Sequence, residues 1–264
     1  MNKGQLPIVG DADVTSRSRA FHKPGVYMLL PGANRVFSYL PGFTGVKAQV
    51  MGAPQLGAKF LEYELYIDKD GGTVSTHCEA MEHFFFALEG EVQFEYSGDH
   101  HTLKPGSFCW LPPRVPFSFL NKASALARMI WIRRQYEKVD RIDIPQAIFK
   151  HESEVFAEPT DTYLEQHLTP YEDLAFDMGI NLQVFEPGVY FSFVESHIME
   201  HGLYMLDGRG IYWLNGDFME VQKGDFIFMA PFCPQFYYAT GWERSAYLLY
   251  KDVNRDFKLI PSYS

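Results

Sequence analysis

Phe86-Ala-Leu-Glu-Gly90 and Tyr204-Met-Leu-Asp-Gly208 are near-copies set 118 residues apart, the distance from Gly90 to Gly208. The same offset carries Ser97-Gly98-Asp99 onto Asn215-Gly216-Asp217 and Pro105-Gly106-Ser107-Phe108 onto Lys223-Gly224-Asp225-Phe226. It also carries Val115-Pro116-Phe117 onto Cys233-Pro234-Gln235. A period of roughly 20 to 50 residues would mean a solenoid, whereas one ungapped offset of this length means two homologous domains.

Within each copy, short strands alternate with turn signals. Glu91-Val-Gln-Phe-Glu-Tyr96, the turn Ser97-Gly98-Asp99 and Phe108-Cys-Trp-Leu111 are answered by Ile211-Tyr-Trp-Leu214 and Phe226-Ile-Phe-Met229. That spacing predicts an all-β sandwich, jelly roll or barrel. Helix is expected only around Ser153 to Ala157 and Thr162 to His167, in a charged linker. The boundary falls between Val139 and Glu158, where Pro145 and Pro159 bracket polar residues. The expected domains are 1–144 and 145–264.

The aromatic content, 23 Phe, 16 Tyr and 4 Trp, suits pleated strands. A formal charge of −10 opposes a nucleic-acid or anionic-membrane surface. No apolar run approaches the roughly 20 residues that span a bilayer. The start, Met-Asn-Lys-Gly-Gln-Leu-Pro, carries no signal-peptide signature. Cys78, Cys109 and Cys233 are too scattered for a disulfide scaffold and read as buried thiols in a reducing compartment. The expectation is a soluble, cytoplasmic protein.

The chemistry concentrates in Glu195-Ser-His197-Ile-Met-Glu-His201. Residues i and i+2 of a strand share a face, so Glu195 and His197 can converge on one point. His201 reaches that point from the next strand, and Gln235 from a distant one. Two imidazoles with two oxygen donors favour Mn²⁺ or Fe²⁺ over Cu, and the absence of thiolate opposes structural zinc. The alternative is that these are hydrogen-bonded core or surface residues without a metal, although a buried carboxylate between histidines is costly without a cation. At the same offset the first copy has His77, Glu79 and His83, with Phe117 opposite Gln235. Two histidines and a carboxylate can hold iron, so that site is either a second metal centre or a decayed one. His100, His101 and His151 sit in turn or linker contexts and read as solvated. Glu200 and Arg209 read as surface residues.

The order of elements resembles the cupin superfamily, whose first motif runs Gly, His-x-His, a third ligand, Gly, and whose second runs Gly, Pro, His. Here the second copy has Gly188, Glu195-x-His197, His201 and Gly208, then Gly224, Pro231 and Gln235. The departures are Glu for the first His, His for the usual Glu, and Gln for the last His. Two such domains make a bicupin, two tandem double-stranded β-helix barrels. The run Glu195 to Tyr212, with Lys223-Gly-Asp-Phe-Ile-Phe-Met-Ala-Pro231 and Tyr250-Lys-Asp-Val-Asn-Arg-Asp256, is similar to the (S)-ureidoglycine aminohydrolase family. That resemblance implies one Mn²⁺ bound by Glu195, His197, His201 and Gln235. It implies release of ammonia from (S)-ureidoglycine, a C–N bond hydrolysis in allantoin breakdown. It places Tyr212, Tyr247 and Lys251 in the substrate pocket, where a phenol could donate to the ureido oxygen and Lys251 could pair with the carboxylate. Met129 and Arg133 stand opposite Tyr247 and Lys251 in the first copy, which favours one working site. The rival readings are an Fe- or Mn-dependent bicupin dioxygenase or decarboxylase, and a non-catalytic small-molecule-binding bicupin. Apolar outer strand faces predict a homo-oligomer.

Overall fold

The computed structural model describes residues 17–74 and 79–256. Strands dominate them, and named helices are single turns of 3₁₀ type at Gly32–Asn34, Pro54–Leu56 and Glu152–Glu154. The first barrel is one ten-stranded antiparallel sheet that wraps on itself, with nine strands from the first half of the chain. Its spine is the long strand Phe60–Thr73, which pairs with Ala127–Gln135 along most of its length and with Phe117–Leu120 only at Gly72. The bend that closes the barrel uses glycine for clearance. A Cβ on Gly72 would sit 2.1 Å from the Phe119 carbonyl oxygen, and one on Gly71 2.4 Å from that of Gly45. The second barrel is an eight-stranded sheet, six of its strands from the second half, faced by a three-stranded one, Arg209–Leu214, Asp217–Gln222 and Gln235–Ala239. Together these are the two cupin barrels of an all-β bicupin.

Strands cross the expected boundary at residue 144 in both directions. Tyr27–Leu30 pairs with Phe226–Met229 in the second barrel. Ile148–His151 pairs with Ser107–Leu111 in the first. The two receiving strands are equivalent under the 118-residue offset, so each barrel takes an outer strand from sequence beyond its own half. The early segment is fastened by an Arg19–Asp225 ion pair, Lys23 Nζ to Asp217 at 2.9 Å and Tyr27 Oη donating to Asp217 at 2.7 Å.

Between the barrels, their larger sheet faces share one apolar layer that includes Phe84, Trp110, Ile132, Ile180, Phe228 and Tyr250. Glu200 lies at this seam and is fully buried, not at the surface as expected. Alternation does turn it away from the barrel interior, in phase with Gly202 and Tyr204, but that outer face is the seam covered by the first barrel. Glu200 accepts from the Lys59 amide at 3.0 Å and from Tyr250 Oη at 3.3 Å. Arg209 is exposed. The expected helices reduce to the turn Glu152–Glu154, while Leu164–His167 is a strand on Met178–Phe185. Its pairing outweighs its local helical character because the barrel edge supplies a full ladder of partners. His100 and His101 lie on the strand Asp99–Leu103, and His101 stacks on Phe149 with ring centroids 3.6 Å apart. Cys109 and Cys233 are buried and free, and Cys78 lies outside the described residues.

Candidate functional site

Glu195 and Gln235 are tied by their backbones, each amide donating to the other's carbonyl at 2.9 Å. The irregular segment before His201 is thereby laid onto the strand Gln235–Ala239. A further bond, from the Phe232 amide to the His197 carbonyl at 2.7 Å, fixes the stretch between them. His201 opens its strand between Met229 and Lys251. The His197 and His201 rings stand perpendicular with centroids 4.7 Å apart. Gln235 Nε2 lies 3.3 Å from His197 Nε2.

These four residues, with Tyr212, Tyr247 and Lys251, line one cavity of about 430 Å³ inside the second barrel. All seven residues singled out in the sequence therefore share one wall system. Tyr163, Glu165 and Gln183 also line it and were missed. A signal for Gln183 was present: in Met178–Phe185, Asn181 and Gln183 are polar at the alternate positions whose neighbours Ile180 and Leu182 face the apolar seam.

Burial governs the electrostatics. It pushes the His201 imidazole well below its usual range, with His197 and Lys251 adding repulsion. His197 is lowered by burial and then by Lys251. Burial raises Glu195, opposed by Lys251 and reinforced by Glu165. It lowers Lys251, opposed by Glu165 and Glu195. Tyr212 and Tyr247 are pushed well up by burial and stay protonated. Neutral imidazoles are the form that ligates a cation.

The donor set fits a divalent ion by type: two neutral imidazoles, a carboxylate and an amide on one cavity wall. His197 Nδ1 is also buried without a hydrogen-bond partner, which burial penalises unless something satisfies the ring. Among the described residues, no three His, Cys, Asp or Glu side chains stand close enough together to hold a metal as they are.

The equivalent place in the first barrel is packed with rings. Trp131 Nε1 donates to His83 Nδ1 at 3.2 Å, and the Phe117 ring lies 4.9 Å from that imidazole. Glu79 is ion-paired to Arg133 at 3.1 Å. His77 lies outside the described residues.

A cupin-domain family model matches residues 65–133. The chain is 30% identical over 247 residues to (S)-ureidoglycine aminohydrolase of Escherichia coli (strain K12), covering 92% of this chain and 94% of that protein. It is 32% identical over 246 residues to (S)-ureidoglycine aminohydrolase of Arabidopsis thaliana, covering 92% and 81%. This chain belongs to the (S)-ureidoglycine aminohydrolase family. The crystal structure of protein Ylba from E. coli superposes with a TM-score of 0.85 at 28% identity, over 95% of this chain and 100% of that one. The likeness to family members thus extends over both barrels and the exchanged strands, beyond the cupin signature of the first.

Proposed function

We propose that this chain hydrolyses (S)-ureidoglycine to (S)-ureidoglycolate and ammonia, in the second barrel, with one Mn²⁺ per chain. Supporting this most directly is the convergence of Glu195, His197, His201, Gln235, Tyr212, Tyr247 and Lys251 on a single cavity in a member of this family. Glu195, His197, His201 and Gln235 would hold the ion, which when bound supplies a charge clamp and template for a small chelating molecule.

The remaining work falls to the protein's own side chains. Ureidoglycine carries an amine, a ureido nitrogen and a carboxylate on one carbon. Once the amine is protonated its C–N bond breaks readily, leaving an acyl-imine that water attacks. The barrier is modest, and the task is to hold one enantiomer and admit water to one face. Lys251 faces the cavity beside Glu165 and Glu195 and is placed to pair with the substrate carboxylate. Tyr212 and Tyr247, both nearly solvent-inaccessible, give rigid polar contacts in a confined space.

No helix among the described residues is long and apolar enough to cross a membrane, in keeping with a cytoplasmic enzyme. Exposed Ile211, Phe218 and Tyr238 on the outer three-stranded sheet support association with further copies. The activity is tested by ammonia release from freshly generated ureidoglycine, with the handedness of the product read alongside. Glu195→Ala should lower metal content and ammonia release together. Ammonia release at the parent level from metal-free protein, or oxygen uptake in place of it, would refute the assignment.

A further inference from the structure

Along the cavity wall runs a chain of hydrogen bonds whose direction is set from one end. Glu165 Oε1 accepts from Gln183 Nε2 at 2.6 Å and from Asn181 Nδ2 at 2.5 Å. A carboxylate has no proton to give, so both amides must turn their NH₂ groups toward it. Amide orientation is normally inferred from the surrounding network, and here the carboxylate leaves each amide one choice. Gln183 therefore presents Oε1 to Tyr247, whose hydroxyl donates to it. Tyr212 Oη lies 3.4 Å from Tyr247 Oη and points its proton there. On the other branch, Asn181 Oδ1 faces His167 Nδ1 at 3.2 Å, which completes the second amide.

The consequence reaches the cavity. Tyr247 commits its only proton to Gln183, so it can offer a bound molecule nothing but a lone pair. This inverts the sequence-based expectation of a phenol donating to the ureido oxygen. The duplication supplies a control: Phe94, Met129 and Leu65 stand at the positions of Tyr212, Tyr247 and Gln183, and Leu65 pairs with Ala48 where Gln183 pairs with Glu165. Every member of the relay is present in the barrel with the cavity and missing from the other.

We propose that Glu165 is a positioning residue that, acting through Gln183, holds Tyr247 as a hydrogen-bond acceptor, so that the cavity selects a molecule presenting an N–H, as the ureido nitrogen does, over one presenting oxygen at that point. The choice of the ureido N–H rests on the ureidoglycine assignment, whereas the polarity of Tyr247 is a property of this chain alone. A site built to accept from an N–H rejects the oxygen analogue because two lone pairs are then left facing each other.

The test is calorimetric binding, to the metal-loaded protein, of ureidoacetate and of carbamoyloxyacetate, which differ only in N–H against O at the internal position. The parent should bind the N–H compound at least about tenfold more tightly, the size of one buried hydrogen bond. Gln183→Leu, which installs the first barrel's residue, frees the Tyr247 proton and should abolish or reverse the preference with metal content unchanged. Glu165→Leu and Tyr247→Phe should each erase it, and adding Gln183→Leu to Tyr247→Phe should change nothing further. A parent without preference, or a Gln183→Leu protein that keeps it, overturns the proposal. Binding needs no turnover, so a retained N–H preference alongside absent ammonia release would sink the assigned reaction and leave this inference standing.

Discussion

The two barrels place the same strands at the same register and fill them oppositely. In the first, Phe85, Phe94, Phe117, Phe119 and Trp131 close the interior, with Phe85 stacked on Trp131 at 5.6 Å between centroids. In the second, Tyr212, Gln235, Tyr237 and Leu249 occupy the positions of Phe94, Phe117, Phe119 and Trp131, and all but Tyr237 line a cavity. Both hold together by the same apolar seam, so the difference lies within each barrel. A buried cavity lined by carboxylates and a lysine lowers stability, since each charge gives up water for incomplete pairing. A ring-filled neighbour sharing its sheets and strands offsets that. One copy of the duplication is filled with rings, and the other keeps a polar cavity.

Importing the first barrel's residue at the decisive position should break this contrast. Gln235→Phe is expected to displace the metal and cut kcat/KM by at least about 10³-fold, more than the 10- to 100-fold typical of outer-shell changes, while the melting temperature holds. Metal analysis, kinetics and a melting curve read all three. A variant that retains metal and activity would show that Phe117 is not what closes the first site.

The reciprocal change removes rings. Trp131→Ala takes away a side chain that stacks on Phe85 and donates to His83, and it should cost about 3–5 kcal/mol of stability. Below its new melting temperature, ammonia release per folded chain should match the parent. Loss of activity without loss of stability would mean that the first barrel takes part in the reaction.

A smaller effect comes from the seam. Glu62 stands where the second barrel has Ile180, and both its carboxylate oxygens are buried without partners. Burial raises its pKa from the ordinary 4.5 to about 8, against the pull of Arg35. A folded value above the unfolded one means that its contribution is whole below about pH 4.5 and is lost as pH rises through about 8. Glu62→Gln should therefore shrink the fall in melting temperature between pH 6 and pH 9 by several degrees. An unchanged pH profile would show that the carboxyl is solvated or paired in solution.

Much of this architecture could be read from the repeat. Gly90, Gly98 and Gly106 recur as Gly208, Gly216 and Gly224 because turns with positive φ are needed at the same places in both copies. Glu195, His197, His201 and Gln235 do share one cavity, although Glu195 and His197 lie in an irregular segment bridged to Gln235 and not on the strand expected for them. Glu165 was not legible, since a single polar residue on a strand usually faces solvent and its inward phase appears only once its pairing with Gln183 is known. Glu200 was misread for a related reason: its outward phase holds, but the outward face of the strand His201–Asp207 is buried against the other barrel. The exchange of Tyr27–Leu30 and Ile148–His151 between barrels leaves no periodic trace at all, because any amphipathic strand would serve either edge.

The most direct test of the central claim, one metal centre confined to the second barrel, is metal stoichiometry with anomalous scattering from crystals of the untreated protein. The account predicts one ion per chain, within coordination distance of His197 and His201, and lost in Glu195→Ala. An ion seated beside His83 instead, or one retained by Glu195→Ala at full occupancy, would contradict it.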